Sequence, residues 1–117
     1  MRADEKFVVA IFDELFTGNI EQYKESLNDP VNNCSDPYAK VRNALAKLSD
    51  DERSDVFNFF KVIVADSASV VLGTLDGVHF PDGIKGDFLV TCDGEEIQGD
   101  LLDIFIEKAQ SENVYGS

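Results

Sequence analysis

The chain has 117 residues, 44% of them hydrophobic, and its 23 Asp and Glu against 10 Lys and Arg leave a formal charge of -13. That length and apolar content fit one domain over residues 1–117 with a core of its own. No window supplies the basic patch that phosphate neutralisation requires, which argues against direct DNA or RNA binding and against anionic membrane surfaces.

Phe7, Val8, Ile11, Phe12, Leu15 and Phe16 recur at helical intervals, which predicts a first helix over 4–16 ended by Gly18. Charges before and inside that stripe, and the lack of a small-residue cleavage site, distinguish it from a signal peptide; cytoplasm is the expected compartment. Asn19 with Gln22 reads as a capping box for a second helix, whose inner face is Ile20, Tyr23 and Leu27 and which stops at Asn28-Asp29-Pro30. After a polar loop, Asp36 and Pro37 form a cap and first-turn proline, and Tyr38, Val41, Leu45 and Leu48 make a third stripe.

Ser49-Asp50-Asp51-Glu52 is the clearest local signal: a serine hydroxyl and a glutamate three residues on satisfy two orphan amides, while three acids face the positive end of the helix dipole. The helix it starts is apolar on almost every side through Val56, Phe57, Phe59, Phe60, Val62, Ile63 and Val64, and is expected to continue to Gly73. Such a helix should be central, with other elements surrounding it. Lys61 and Asp66 argue against a membrane span, since a charge at the bilayer centre costs about 2.5 to 3.5 kcal/mol even on insertion scales.

Five of the eight glycines then crowd into the stretch Gly77 to Gly99, which is turn and hairpin grammar. Asp93-Gly94 suits a primed turn between a strand containing Phe88, Val90 and Cys92 and a return over Glu95 to Gln98. The Phe88, Val90 and Cys92 face is expected to pack on the central or the last helix, and residues 78–80 offer a further short strand. Asp100 is the expected cap of a final helix carrying Leu101, Leu102, Phe105, Ile106 and Ala109, with a loose tail from about residue 111. The fold class is therefore α+β and mostly helical: four N-terminal helices, a hairpin, and a C-terminal helix.

Catalytic chemistry finds little support. Between Asp76 and Asp87 the third and fifth positions are Val78 and Phe80, so the EF-hand spacing fails, and acids at turns and caps have a local explanation. Cys34 and Cys92 lack metal-ligand spacing and read as free thiols. A Cys92 nucleophile with His79 as base is disfavoured because Cys92 shares the inner face with Phe88 and Val90, where a thiol is buried and inert. No glycine-rich phosphate loop is present, and no cofactor or metal is expected.

The charge is uneven. Residues 1–29 hold seven acids and three bases, residues 30–66 six and five, and residues 67–117 ten and two. Asp87, Asp93, Glu95, Glu96, Asp100 and Asp103 form the candidate surface, suited to steering a basic protein partner. In size and charge alone the chain resembles small acidic inhibitor or immunity proteins that bind basic nucleases, and phosphate-mimicking proteins. A non-enzymatic binding protein is the leading expectation. The alternatives are a structural domain acidic only for solubility or homodimerising through the first helix, and a small enzyme or metal-binding domain built on the acidic loop and His79.

Overall fold

Helical structure runs without a break from Ala3 to Leu27 in the computed structural model, which describes residues 1–116. It comprises α1 (Ala3–Asp13), a π-helical segment (Glu14–Asn19) and α2 (Ile20–Leu27). The expected stop at Gly18 and cap at Asn19 do not occur: Asn19 keeps helical angles, φ -63° and ψ -48°, and its side chain caps nothing. At 3.6 residues per turn, a stripe spaced by four drifts about 40° per step, and the wider π turns absorb that drift. Phe7, Ile11, Leu15, Asn19 and Tyr23 consequently line one groove.

The third helix, α3 (Pro37–Leu45), begins as its sequence implies, with Asp36 Oδ1 accepting the Ala39 amide at 3.1 Å. Arg42 Nε donates to the Ser26 carbonyl at 2.9 Å and ties α3 to the end of α2. Leu27, Leu45 and Phe57 bury one another in a small core, with Leu48, Val56 and Phe60 packed around it.

The capping box forms at the start of α4 (Asp50–Leu75): Ser49 Oγ accepts the Glu52 amide at 3.1 Å, and Glu52 Oε1 accepts the Ser49 amide at 2.9 Å. At 26 residues this helix is the spine of a molecule 49 Å long. It stops at Gly77, whose φ of +76° lets the Val78 amide reach the Gly73 carbonyl at 2.9 Å and the Gly77 amide reach that of Thr74 at 3.1 Å.

Asp100, the expected cap of α5 (Leu101–Ser111), makes no side-chain cap bond; its φ of -118° and ψ of 11° are not the extended angles a capping residue adopts. The cap comes instead from Asp76 at the end of α4. Its Oδ1 accepts the Gly99 amide at 2.6 Å and that of Leu101 at 3.2 Å, and its Oδ2 accepts the Leu102 amide at 2.7 Å. The far end of α5 closes with Asn113 at φ 57°, where the Val114 amide bonds the Ala109 carbonyl at 2.9 Å. Within the tail expected to be loose, Val114 is thereby buried in the main core and the Tyr115 hydroxyl donates to Asp66 Oδ1 at 3.2 Å; Ser117 lies outside the described residues.

The main core joins Val8 and Phe12 of α1, Ala65 and Leu72 of α4, and Leu101, Phe105 and Ala109 of α5. Phe105 is fully buried, its ring 5.7 Å from that of Phe12 and 6.4 Å from that of Phe16. Strands β1 (Thr91–Cys92) and β2 (Glu95–Glu96) pair antiparallel, Thr91 opposite Glu96, around Asp93 and Gly94 at φ 52° and 81°. The protein is thus a mostly helical α+β domain with a small two-stranded sheet and a C-terminal helix.

Three packing expectations fail. The Phe88, Val90 and Cys92 face does not enter the core: Phe88 and Cys92 are exposed and Ile97 is buried in their place. With strands of only two residues, too little alternating surface exists to present a buried face. Residues 78–80 form no strand, because the amides of Val78 and His79 are both spent on the Gly73 carbonyl.

The largest departure concerns α4, which is not surrounded. Phe57, Ala65, Leu72 and Gly73 are buried, but Phe59, Ile63, Val70 and Val71 are 46% to 60% exposed. By length and composition this helix is able to cross a membrane, and 22% of its most apolar stretch is buried. The reason is geometric. Both α1 and α4 pack most closely on α5, and the side of the pair away from α5 is left open.

Candidate functional site

All six acids of the sequence-derived site are exposed. Asp93 occupies the hairpin turn, Glu95 and Glu96 are β2, Asp100 and Asp103 flank the start of α5, and Asp87 lies in the loop before the hairpin. Hairpin register sets Glu95 and Glu96 directly across from Cys92 and Thr91, so three carboxylates crowd one tip. Gln98 fastens this tip to its flank, accepting the Val90 amide through Oε1 at 2.9 Å and approaching Glu96 Oε2 through Nε2 at 3.4 Å. Among the described residues, ion pairs join Arg2 to Asp4 and Glu5, Arg53 to Asp50, and Lys108 to Glu112, and none involves these six acids.

Asp76 is different in kind. Its carboxylate is spent on three backbone amides, so it orders the acidic region without presenting charge outward. Sequence reading placed it only in the acidic loop; the available signal was an Asp-Gly pair at the end of a long helix, which marks the turn and not the long-range partner. Among the described residues, no three His, Cys, Asp or Glu side chains converge as metal ligands would. Cys92, expected to be buried, is exposed on the hairpin, and His79 is exposed in the turn after α4, with no hydrogen bond joining them.

Sequence reasoning missed a second feature, an open apolar channel beside α4. Its largest part, about 530 Å³, is walled by Phe7, Ile11, Leu15 and Tyr23 on one side and by Ile63, Val64, Ala68 and Val71 on the other. Two smaller depressions of about 210 and 200 Å³ continue it past Leu27 and Phe60 to Pro37 and Tyr38. Not one lining residue is charged. The one hydroxyl in its α4 wall is silenced, since Ser67 Oγ donates to the Ile63 carbonyl at 2.7 Å.

No protein-family model, curated protein or solved structure matches this chain. Function is therefore read from these two surfaces, one charged and one apolar.

Two titrating groups carry clear environmental shifts. The Glu52 carboxyl is held below the ordinary glutamate range by hydrogen bonds from Ser49. Burial, followed by the Asp66 carboxylate beside it, raises the Tyr115 hydroxyl above the ordinary tyrosine value. Both groups belong to helix-end contacts rather than to the six exposed acids.

Proposed function

We propose that this is a non-enzymatic cytoplasmic binding protein whose acidic C-terminal region engages a basic protein, in the manner of an inhibitor or immunity partner. The observation that carries this reading is the set of six exposed carboxylates with no ion pair among the described residues, mounted on a hairpin, the loop before it and a helix start. Charge on a pre-ordered support attracts a partner over long range without the cost of ordering flexible side chains and loops on binding. Three hydrogen bonds that Asp76 accepts from backbone amides, and two made by Gln98, provide that order. The field meets little opposition: residues 67–117 contain only Lys85 and Lys108 as bases against ten acids, and Lys108 is paired with Glu112 at 3.1 Å.

The test is affinity capture from the native cell at low salt, followed by association kinetics of whichever basic protein elutes as salt rises. Replacing Glu95, Glu96, Asp100 and Asp103 by Lys together is expected to slow association by roughly tenfold or more and to flatten its salt dependence. An association rate unchanged in that variant overturns the reading.

A further inference from the structure

We infer that the channel along α4 is a self-association face, filled in solution by a second copy of this chain about a two-fold axis. The inference is independent of the acidic-region reading, because it rests on a different surface.

Continuity is the first argument. The largest depression shares Tyr23, Ile63 and Val64 with the next, which shares Leu27 and Phe60 with the third. Between Phe60 and Leu75 the channel follows roughly 22 Å of helix, long enough to seat several turns of another helix. An apolar strip of that extent ranks with the largest patch of a typical monomer, which is often an interaction site.

Area points the same way. Tyr23, Tyr38, Phe59, Ile63, Val70 and Val71 are 40% to 60% exposed, which amounts to on the order of 500 Å² of side-chain surface. A standard interface buries about 800 Å² per partner and the weaker ones less than about 600 Å², so this surface matches the smaller class. The chain's radius of gyration is 17.3 Å, against about 13 Å for a compact domain of this length. An elongated chain with one side of its longest helix uncovered is short of a packing layer.

Charge selects the occupant. A basic partner would find no carboxylate among the lining residues, so nothing in the channel rewards its charge. Two copies of a chain at -13 repel each other over most of their surfaces, and the channel is a place where they can meet on a lining that holds no charged residue. An anionic bilayer is disfavoured by the same net charge.

Shape supplies the two-fold. Phe59, Ile63 and Val70 follow helical spacing and stand out as a ridge along the edge of the channel, in which the exposed Asp66 of the same stripe is held by the Tyr115 hydroxyl at 3.2 Å. One helix thus carries both a projecting stripe and the wall of a trough, and the ridge of each copy enters the trough of the other. That self-complementarity is what an isologous interface requires.

Sedimentation equilibrium on the full chain tests this, using the wild type and the separate variants Ile63→Lys and Val70→Lys. Both side chains are nearly half exposed, 48% and 46%, so each lysine is tolerated by the monomer, which circular dichroism checks. The wild type is expected at twice the chain mass at micromolar concentration, with each variant raising the dimer dissociation constant roughly tenfold or more. Added salt should tighten the wild-type dimer by screening like charges, the opposite of its effect on a basic partner, and this reading needs no variant. A wild-type monomer at every concentration up to the millimolar range overturns the inference. So does a dimer equally strong in both variants, or a monomer that co-sediments with phosphatidylcholine vesicles, which would give the face to a lipid surface. The Glu95, Glu96, Asp100 and Asp103 lysine variant should dimerise at least as well as the wild type, so loss of a basic partner there leaves the dimer standing.

Discussion

One side of α4 packs against α5 and the C-terminal turn through Ala65, Leu72 and Gly73, while the other holds Phe59, Ile63, Val70 and Val71 out to solvent. Around Ala65 and Gly73, residue size separates the two sides more sharply than polarity does. The packed side has small residues where backbones come close: a Cβ on Gly73 would stand 3.1 Å from that of His79 and 3.2 Å from Leu102 Cδ2. Its counterpart carries large and branched side chains, the ones that gain most from burial and that the monomer leaves wet. A helix built to face water would reverse that order. The comparison indicates that the open side awaits cover, whereas the packed side is finished.

Truncating a large aromatic on each side gives the strongest way to break this contrast. Phe105, fully buried against α1 and α4, is expected to lose about 3 to 5 kcal/mol on replacement by Ala, from lost transfer energy and the cavity left behind. Phe59, 60% exposed, should change monomer stability by less than about 0.5 kcal/mol under the same substitution. Urea unfolding at concentrations below dimerisation measures both. Equal losses at the two sites would mean that the open side is packed after all.

The same contrast explains which parts of the fold were legible in the sequence. Devices confined to a few residues were: the capping box at Ser49 and Glu52, the Asp36 cap with its proline, and the Asp93-Gly94 turn all form as their residues imply. Apolar periodicity likewise located every helix, and the exposed acids stand where the chain's charge asymmetry put them. Gly18 and Asn19 misled because stop signals are weak, and an apolar stripe running through them outweighed their preference once a π segment kept it aligned. Burial was the illegible quantity. Continuous apolarity on α4 announced that the helix wants cover on all sides, but which sides are covered depends on where α1 and α5 lie, and that is a tertiary fact. The channel was missed for the same reason: its walls come from segments some 40 to 60 residues apart in the chain.

A second contrast, of intermediate size, lies between two aspartates at the start of α5. The expected cap, Asp100, bonds no amide with its side chain, whereas Asp76 bonds three from 23 to 26 residues away. Asp76→Ala should cost about 2 kcal/mol, the upper range for a lost helix cap, because several amides lose a charged acceptor together. Asp100→Ala should cost less than about 0.5 kcal/mol. Thermal or urea unfolding of both variants decides it, and a larger loss at Asp100 would mean that the cap is local. Hydrogen exchange sharpens the result further: in Asp76→Ala the amides of Gly99, Leu101 and Leu102 should exchange faster, while those at the start of α4 stay protected.

The start of α4, finally, carries a carboxyl whose titration the fold shifts. Glu52, at the solvent-exposed start, has its carboxyl held below the ordinary range by the Ser49 hydrogen bonds, so its charged form is favoured in the folded chain. A carboxyl lowered on folding contributes stability above its unfolded value and loses it as pH falls through the folded one. Glu52→Gln keeps the capping geometry and removes the charge. Wild type should therefore melt slightly higher than Glu52→Gln at neutral pH, and the gap should close as pH drops below the ordinary glutamate range. Full exposure and screening keep the effect the smallest of the set. A gap independent of pH would assign the contribution of Glu52 to shape alone, leaving the start of α4 held by hydrogen-bond geometry without help from charge.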